Sequence, residues 1–446
     1  MKENSFTSGP ILSPLIRFAI PVLLALLLQA MYGAVDLLVV GKFAETADIS
    51  AVATGTQIMH VITGLFIGLA SGLTVLLGQK IGEGDTRSAG CVVGSGIVLF
   101  AIIGAVCTLL LVGLTNPICT AMQAPQEAFT ATASYVRICS AGSLFIIAFN
   151  VLGSIFRGLG DSKMPLITVA IACVVNIFGD LFLVAVFHMG AAGAALATVF
   201  AQAISVAISL VVISRRSLPF DFRRTDIRLN KKAALDTLRL GVPIALQDIL
   251  VSFSFLVIMA IVNSIGMIAS AGVGVAEKIC AFVMLLPSAC SQAMSAFVAQ
   301  NIGAEKPERA KKALLYGILA SLAVSVVIFY VAFFHGDMLC GIFANERDVI
   351  AAGADYLKAY AIDCLLTSFL FCFVGYFSGL GKSVFVMVQG IAGAFGVRVP
   401  VSFLVSRSAS PTLFHIGLAT PASTIVQILL CFGYLFLLKK REKAKA

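Results

Sequence analysis

Twelve apolar runs of roughly 20 residues or more, each long enough to cross a bilayer as a helix, constrain this chain more than any other feature of its sequence. They lie approximately at 15–40, 50–77, 91–115, 132–156, 165–187, 191–214, 237–263, 268–298, 313–335, 354–378, 383–405 and 412–438. Only 12% of the 446 residues are charged, and 59% are hydrophobic. A soluble domain holds about a quarter charged residues, so this chain cannot wet its own surface. The expected fold class is an all-α polytopic membrane protein. Several runs are rich in Ala and Gly, such as "MGAAGAALATVFAQ" (189–202), which suits close helix contacts inside a bundle.

Lys and Arg set the expected orientation. With the N-terminus inside, 24 of the 31 fall in cytoplasmic segments, five fall outside, and Lys278 and Arg398 remain in the spans. That bias obeys the positive-inside rule, so both termini are expected in the cytoplasm of a multi-pass inner (plasma) membrane protein. The net charge of +9 then reads as topology, and no nucleic-acid partner is implied. The N-terminal stretch has no compact signal-peptide pattern. The eleven cysteines are scattered, with no CxxC pair, as expected of small core residues.

The chain repeats itself. "RFAIP" (17–21) matches "RLGVP" (239–243), and "LLGQKIGEGDTRSA" (76–89) matches "FVAQNIGAEKPERAKK" (297–312). "FRGLGDSKMP" (156–165) matches "FSGLGKSVF" (377–385), and "FHMGAAGA" (187–194) matches "FHIGLATPA" (414–422). Four anchors in one order at a nearly constant offset indicate a duplication. The expected domains are an N-terminal six-helix lobe (1–214), a linker (215–236) and a C-terminal six-helix lobe (237–446). An even number of spans makes the copies parallel repeats around a central cleft. Gly82 and Gly303 are the expected terminators of the second and eighth helices, each followed by a basic residue, Arg87 or Arg309. "GEGDT" has neither a Walker lysine nor a preceding strand. Without a nucleotide motif, an ion gradient is the expected energy source, and neither a cofactor nor enzymatic chemistry is expected.

These motifs, with "NIFGDLFLV" (176–184) and "QNIGAEKPERA" (300–310), resemble those of the multidrug and toxic compound extrusion (MATE) family. The resemblance covers essentially the whole chain. It implies cation-coupled export of bulky, often cationic, organic compounds by a protein expected to act as a monomer.

Five acids lie within the apolar runs, clear of the first two residues of each: Asp36, Asp180, Asp248, Glu277 and Asp363. A lone charge there costs ~2.5–3.5 kcal/mol or more. Asn176 and Asp180 are four apart and share a helix face. Counted from the outer ends at ~1.5 Å per residue, Asp36 lies ~6 Å deep, Asp180 and Thr198 ~10 Å, and Asn176 ~16 Å. The four can converge in one half, where two carboxyls with an amide and a hydroxyl share a proton or ligate Na⁺. At the repeat offset the counterparts are Met259 or Ile258 for Asp36, Arg398 or Val397 for Asn176, and Ser402 or Val401 for Asp180. The acids were not copied.

Proton-coupled members of the family are similar at Asp36, Asn176, Asp180 and Thr198, with Gln29 and Asn150 nearby in the N-lobe cavity and Pro21 earlier in the first helix. The resemblance implies that protonation bends that helix at Pro21 and expels substrate outward. Some relatives carry a second cation site in the C-terminal half. Its positions fall near Val251 and Thr367, both uncharged, with Asp248 and Asp363 about a turn away. Glu277 is a candidate for meeting a cationic substrate, or else Arg398. A flippase for lipid-linked sugars would need a more basic cavity than Lys278 and Arg398 supply. A receptor or scaffold would not need membrane acids confined to one half, and no channel filter motif is evident.

Overall fold

A computed structural model of the chain describes residues 6–215, 220–408 and 412–443. The middle of the expected linker (216–219) and both extreme ends lie outside the described residues. Among those described there is no strand, and the helices carry the apolar runs one for one. Eleven are long and apolar enough to span a membrane, and a bent pair makes the twelfth. In the first half these are α1 (Leu12–Phe43), α2 (Thr46–Glu83), α3 (Thr86–Gly113), α4 (Gln126–Ala141 and Ser143–Gly158, bent by 52°), α5 (Lys163–Val186) and α6 (Gly190–Arg215). The second half holds α7 (Lys231–Asn263), α8 (Met267–Gly303), α9 (Pro307–Phe334), α10 (Arg347–Gly379), α11 (Ser383–Ser406) and α12 (Leu413–Arg441).

The helices form two compact units, each built largely on one repeat. One holds Arg17–Ala245 with Gly303–Glu305; the other holds Met1–Ile16, Leu246–Ile302 and Lys306–Ala446. In the first, α2 is the central helix, packed on α3, α4 and α6. In the second, α10 takes that place, packed on α8, α9 and α12. Large apolar side chains elsewhere point outward, Leu38, Leu109, Phe178 and Leu256 among them, as lipid requires and water forbids. Small residues bring α6 against α5: Ala191, Ala194, Ala195, Ala197 and Ala201 are all buried. All eleven cysteines are free.

The second helix does not stop at Gly82. It continues to Glu83, and Gly84 closes it with φ 71°, a left-handed conformation that glycine adopts at no steric cost. His188 stands in a turn with φ 54°.

The basic residues after these helix ends act as clamps. In the first unit Arg87 makes a two-pronged ion pair with Asp226, Nη2 to Oδ1 at 2.8 Å and Nη1 to Oδ2 at 2.9 Å. That holds the stretch leading into α7. In the second unit Arg309, 222 positions later, holds the stretch leading into α1. Its Nε donates to the Phe6 carbonyl at 2.9 Å, Nη1 to Gly9 at 2.6 Å, and Nη2 to Ser8 at 2.9 Å and Pro10 at 3.0 Å. Lys306 donates to the Thr7 carbonyl at 2.8 Å and Asn301 to that of Phe6 at 3.1 Å. The duplication therefore copied a job, gripping the leader of a first helix, but not the gripped sequence.

The Arg223 backbone N–H, and after it the Arg87 guanidinium, hold the Asp226 carboxyl below the usual carboxylate range. A carboxyl with a depressed folded value contributes stability above its unfolded value of about 3.9 and loses it as pH falls through the folded one. The α7 leader should therefore keep its hydrogen-exchange protection at neutral pH and lose it only below about pH 4. Asp226→Asn should show the loosened pattern at every pH. Arg309→Ala should cost the α1 leader about 1–2 kcal/mol of local stability, read as faster exchange at residues 11–16.

Candidate functional site: a buried carboxyl pair

Three helices of the first unit each bring two polar residues, four apart and so on one face, to a single place. Helix α1 brings Tyr32 and Asp36, α5 brings Asn176 and Asp180, and α6 brings Thr198 and Gln202. Asp36 is 4% exposed, Asn176 1% and Asp180 0%. The α6 contribution is fixed at its start, where Asp48 of α2 accepts the Ala191 N–H at 2.9 Å. Helix α5 widens to a π-turn over Leu181–Val186, directly after Asp180. Such turns recur at functional sites because they break the even backbone ladder. Val39, Val40, Val52 and Val184 belong to the apolar cluster of this region.

A chain of weak hydrogen bonds joins the polar groups. Asn176 Nδ2 donates to Thr198 Oγ1 at 3.4 Å, and Thr198 Oγ1 donates to Asp36 Oδ2 at 3.4 Å. The Asp36 and Asp180 carboxyls lie within hydrogen-bonding reach of each other. Yet Asp36 Oδ1, both oxygens of Asp180 and Asn176 Oδ1 have no donor. Two bare carboxylates ~4 Å apart repel by about 4 kcal/mol at an effective dielectric of about 20. Each orphaned acceptor costs a further ~1–3 kcal/mol. A proton between the carboxyls, or a small hard cation among the oxygens, relieves both costs at once.

The expected quartet of Asp36, Asn176, Asp180 and Thr198 is thus brought together. Tyr32 and Gln202 were missed. Their side chains lie within bonding reach of each other beside Asp36, and the signal for both was an i, i+4 step from a residue already singled out. Tyr135, which shares a 3.2 Å hydrogen bond with Thr56, also lies within electrostatic reach of Asp36. Gln29 is half-buried. Asn150 donates to the Ile146 carbonyl of its own helix at 2.8 Å. Among the described residues no hydrogen bond joins either of them to the cluster. Pro21 lies inside α1, which continues unbroken through it.

In the second unit the expected meeting of Glu277 with Arg398 does not occur: no ion pair joins them among the described residues. Arg398 Nη1 instead donates to Ser254 Oγ at 3.1 Å, and its guanidinium lies 4.3 Å from the centre of the Phe255 ring. Lys278 is exposed. Burial also decides which repeat counterparts apply. Thr168, Val169, Ala172 and Cys173 are buried, and so are Gln389, Gly390, Gly393 and Ala394 at an offset of 221. A π-turn at Ala394–Arg398 then adds one residue. Beyond it the buried face moves to Arg398 and Ser402, not Val397 and Val401.

Two copies of a unit of membrane-length helices, the first with a carboxyl pair buried inside it, point to a membrane transporter rather than an enzyme. The MatE family model matches residues 21–182 and again residues 243–404, two segments displaced by the repeat offset. The chain belongs to the MatE family. It is 26% identical over 433 residues to the probable multidrug resistance protein YoeA of Bacillus subtilis, covering 95% of this chain and 94% of that one. To the multidrug export protein MepA of Staphylococcus saprophyticus it is 23% identical, covering 90% and 88%. Among solved structures, the outward-facing conformation of a multidrug resistance MATE family transporter of the MOP superfamily matches its fold. The TM-score is 0.92 at 19% identity, over 100% of this chain and 99% of that one.

Because neither oxygen of Asp180 has a donor among the described residues, Asp180→Asn should be tolerated by the fold. Its amide supplies a donor to Asp36, so melting of the purified protein should be unchanged or raised by the equivalent of about 0–2 kcal/mol. A loss larger than that would mean the carboxylate already has a partner.

Proposed function

We propose that the chain is a secondary antiporter that exports amphipathic, mostly cationic organic compounds in exchange for H⁺ entering through Asp36 and Asp180. The observation that carries this reading is the set of buried oxygens without donors: they need an added positive charge, and a proton fits between two carboxyls. Na⁺ is the second reading, favoured by an all-oxygen set of Asp36, Asp180, Asn176 and Thr198, the chemistry a hard cation prefers. The relatives' names, multidrug resistance and multidrug export, support the direction and breadth of transport.

Export needs competition. Binding of the ion must disfavour the state that holds substrate, a coupling between sites that works in both directions. Pro21 lacks the N–H for one backbone hydrogen bond of α1, which gives that helix a place to bend as the pair is neutralised. Gln29, Asn150 and Glu277 serve the substrate in this reading. The protein acts as a monomer in the inner membrane, with both termini in the cytoplasm.

Dye efflux from proteoliposomes, driven by an imposed H⁺ or Na⁺ gradient, tests the coupling. Asp36→Asn and Asp180→Asn should each insert normally and lose about tenfold or more of the efflux driven by the coupling ion. Efflux at the wild-type rate in either would remove that residue from the mechanism. Orientation is tested separately: green fluorescent protein fused at the C-terminus should fluoresce, and alkaline phosphatase fused there should be inactive.

A further inference from the structure

The second unit contains a copy of the carboxyl-pair site with its charges changed. At an offset of 222, Ser254 stands for Tyr32, Ile258 for Asp36, Arg398 for Asn176 and Ser402 for Asp180. On α6, Gly190, Ala191, Ala197 and Ala201 are buried, and on α12 so are Ile416, Gly417, Ser423 and Gln427 at an offset of 226, so the second copy is one residue shorter between the Phe-His anchor, offset by 227, and the helix face. Thr198 therefore corresponds to Thr424. The copied pocket has lost both acids and gained a guanidinium.

One acid has returned from another helix. Along α4 and α10 the buried faces coincide at an offset of 221, so Asp363 stands where α4 bends at Gly142. Helix α10 runs straight through this point and delivers Asp363, 3% exposed, to the copied site. Its side chain lies within bonding reach of Thr424 and electrostatic reach of Arg398. No ion pair joins the two within 4 Å among the described residues, and Asp363 Oδ1, Arg398 Nε and Ser402 Oγ have no partner. The other titratable groups facing this cluster are Glu277 and Cys280 on α8 and Tyr356, Tyr360 and Cys364 on α10.

We propose that Arg398 is a tethered cation that permanently supplies, in the second unit, the positive charge that an exchangeable ion supplies in the first. A guanidinium keeps its proton across the physiological range, and its stem fixes it to α11. The charge of Asp363 is thus balanced without uptake or release, and only one lobe exchanges an ion during transport. Arg398 therefore determines ion stoichiometry from within the second unit.

The proposal rests on reading the acid pair as an ion site, but its test reads the second unit alone. The full-length protein carrying Asp36→Asn and Asp180→Asn serves as the parent. Binding of ²²Na⁺ is measured on purified protein, together with melting in NaCl against choline chloride and, in choline, against pH. The parent should show neither Na⁺ binding nor an ion-dependent melting shift attributable to Asp363. Adding Arg398→Gln leaves Asp363, Thr424, Ser254 and Ser402 as an oxygen site without its cation. That variant should gain either saturable Na⁺ binding, with melting rising by about 3 °C or more between about 1 and about 100 mM NaCl, or a comparable rise on acidification. Asp363→Asn added to it should abolish the gain, and Arg398→Lys in place of Arg398→Gln should never show it. Where Arg398→Gln is monodisperse only with Na⁺ or at low pH, that requirement is itself the gain, and Arg398→Met should share it. A monodisperse Arg398→Gln variant with no gain, or a gain that survives Asp363→Asn, overturns the proposal. The acid-pair reading fails separately, if the parent keeps the wild type's own ion dependence.

Discussion

Two carboxyl groups facing each other away from water cannot both stay ionised unless a cation lies between them. Asp36 and Asp180 offer oxygens for which the described side chains provide few donors: the Thr198 hydroxyl and the Asn176 amide reach Asp36, and Asp180 has none. The repulsion and desolvation together amount to several kcal/mol, comparable with the whole stability margin of many proteins. A positive charge shared between them would relieve both costs, which is why the proposed coupling is placed there.

The duplication separates packing from chemistry. Repeat positions keep their burial with few exceptions: Asn176 and Arg398, and Asp180 and Ser402, face the interior of their own units, while Thr424 is buried where Thr198 is half-buried. What they carry differs. One copy places acids on α1 and α5. The other places a base on α11 and an acid on α10. The clamps behave alike: Arg87 and Arg309 hold equivalent positions, but one grips a carboxylate and the other a row of backbone carbonyls. A guanidinium satisfies both because its fork of N–H donors fits any planar array of oxygens.

Most of the fold was legible because a bilayer imposes a length and a polarity on each helix, and those survive in composition alone. The twelve apolar runs map onto the helices, and the meeting of Asp36, Asn176, Asp180 and Thr198 in one place was expected from helix spacing and depth. The details that escaped depend on tertiary contact. Gly142 sits in a stretch that reads as ordinary helix, yet a Cβ there would meet Val199, and α4 bends at that point. Gly82 and Gly84 are equally good terminators by sequence, and only the left-handed conformation of Gly84 decides between them. The π-turn in α11 shifts the register by one residue, so Arg398 could not be told from Val397 by counting. Tyr32 and Gln202 could have been found, since each lies one turn from a site residue on the same face.

The bend at Gly142 and the acid at Asp363 are two uses of one repeat position, and they explain each other. Where α4 needs a glycine to approach α6, no side chain is available, and charge must come from α1 and α5. Where α10 runs straight, the same position carries a carboxyl into the pocket, and a second acid beside it would recreate the repulsion of the first unit. A base at the position of Asn176 resolves that conflict with a single substitution. A shape copied twice thus holds two acids without a base in one unit and an acid with a base in the other, and the single-ion exchange proposed above rests on that difference.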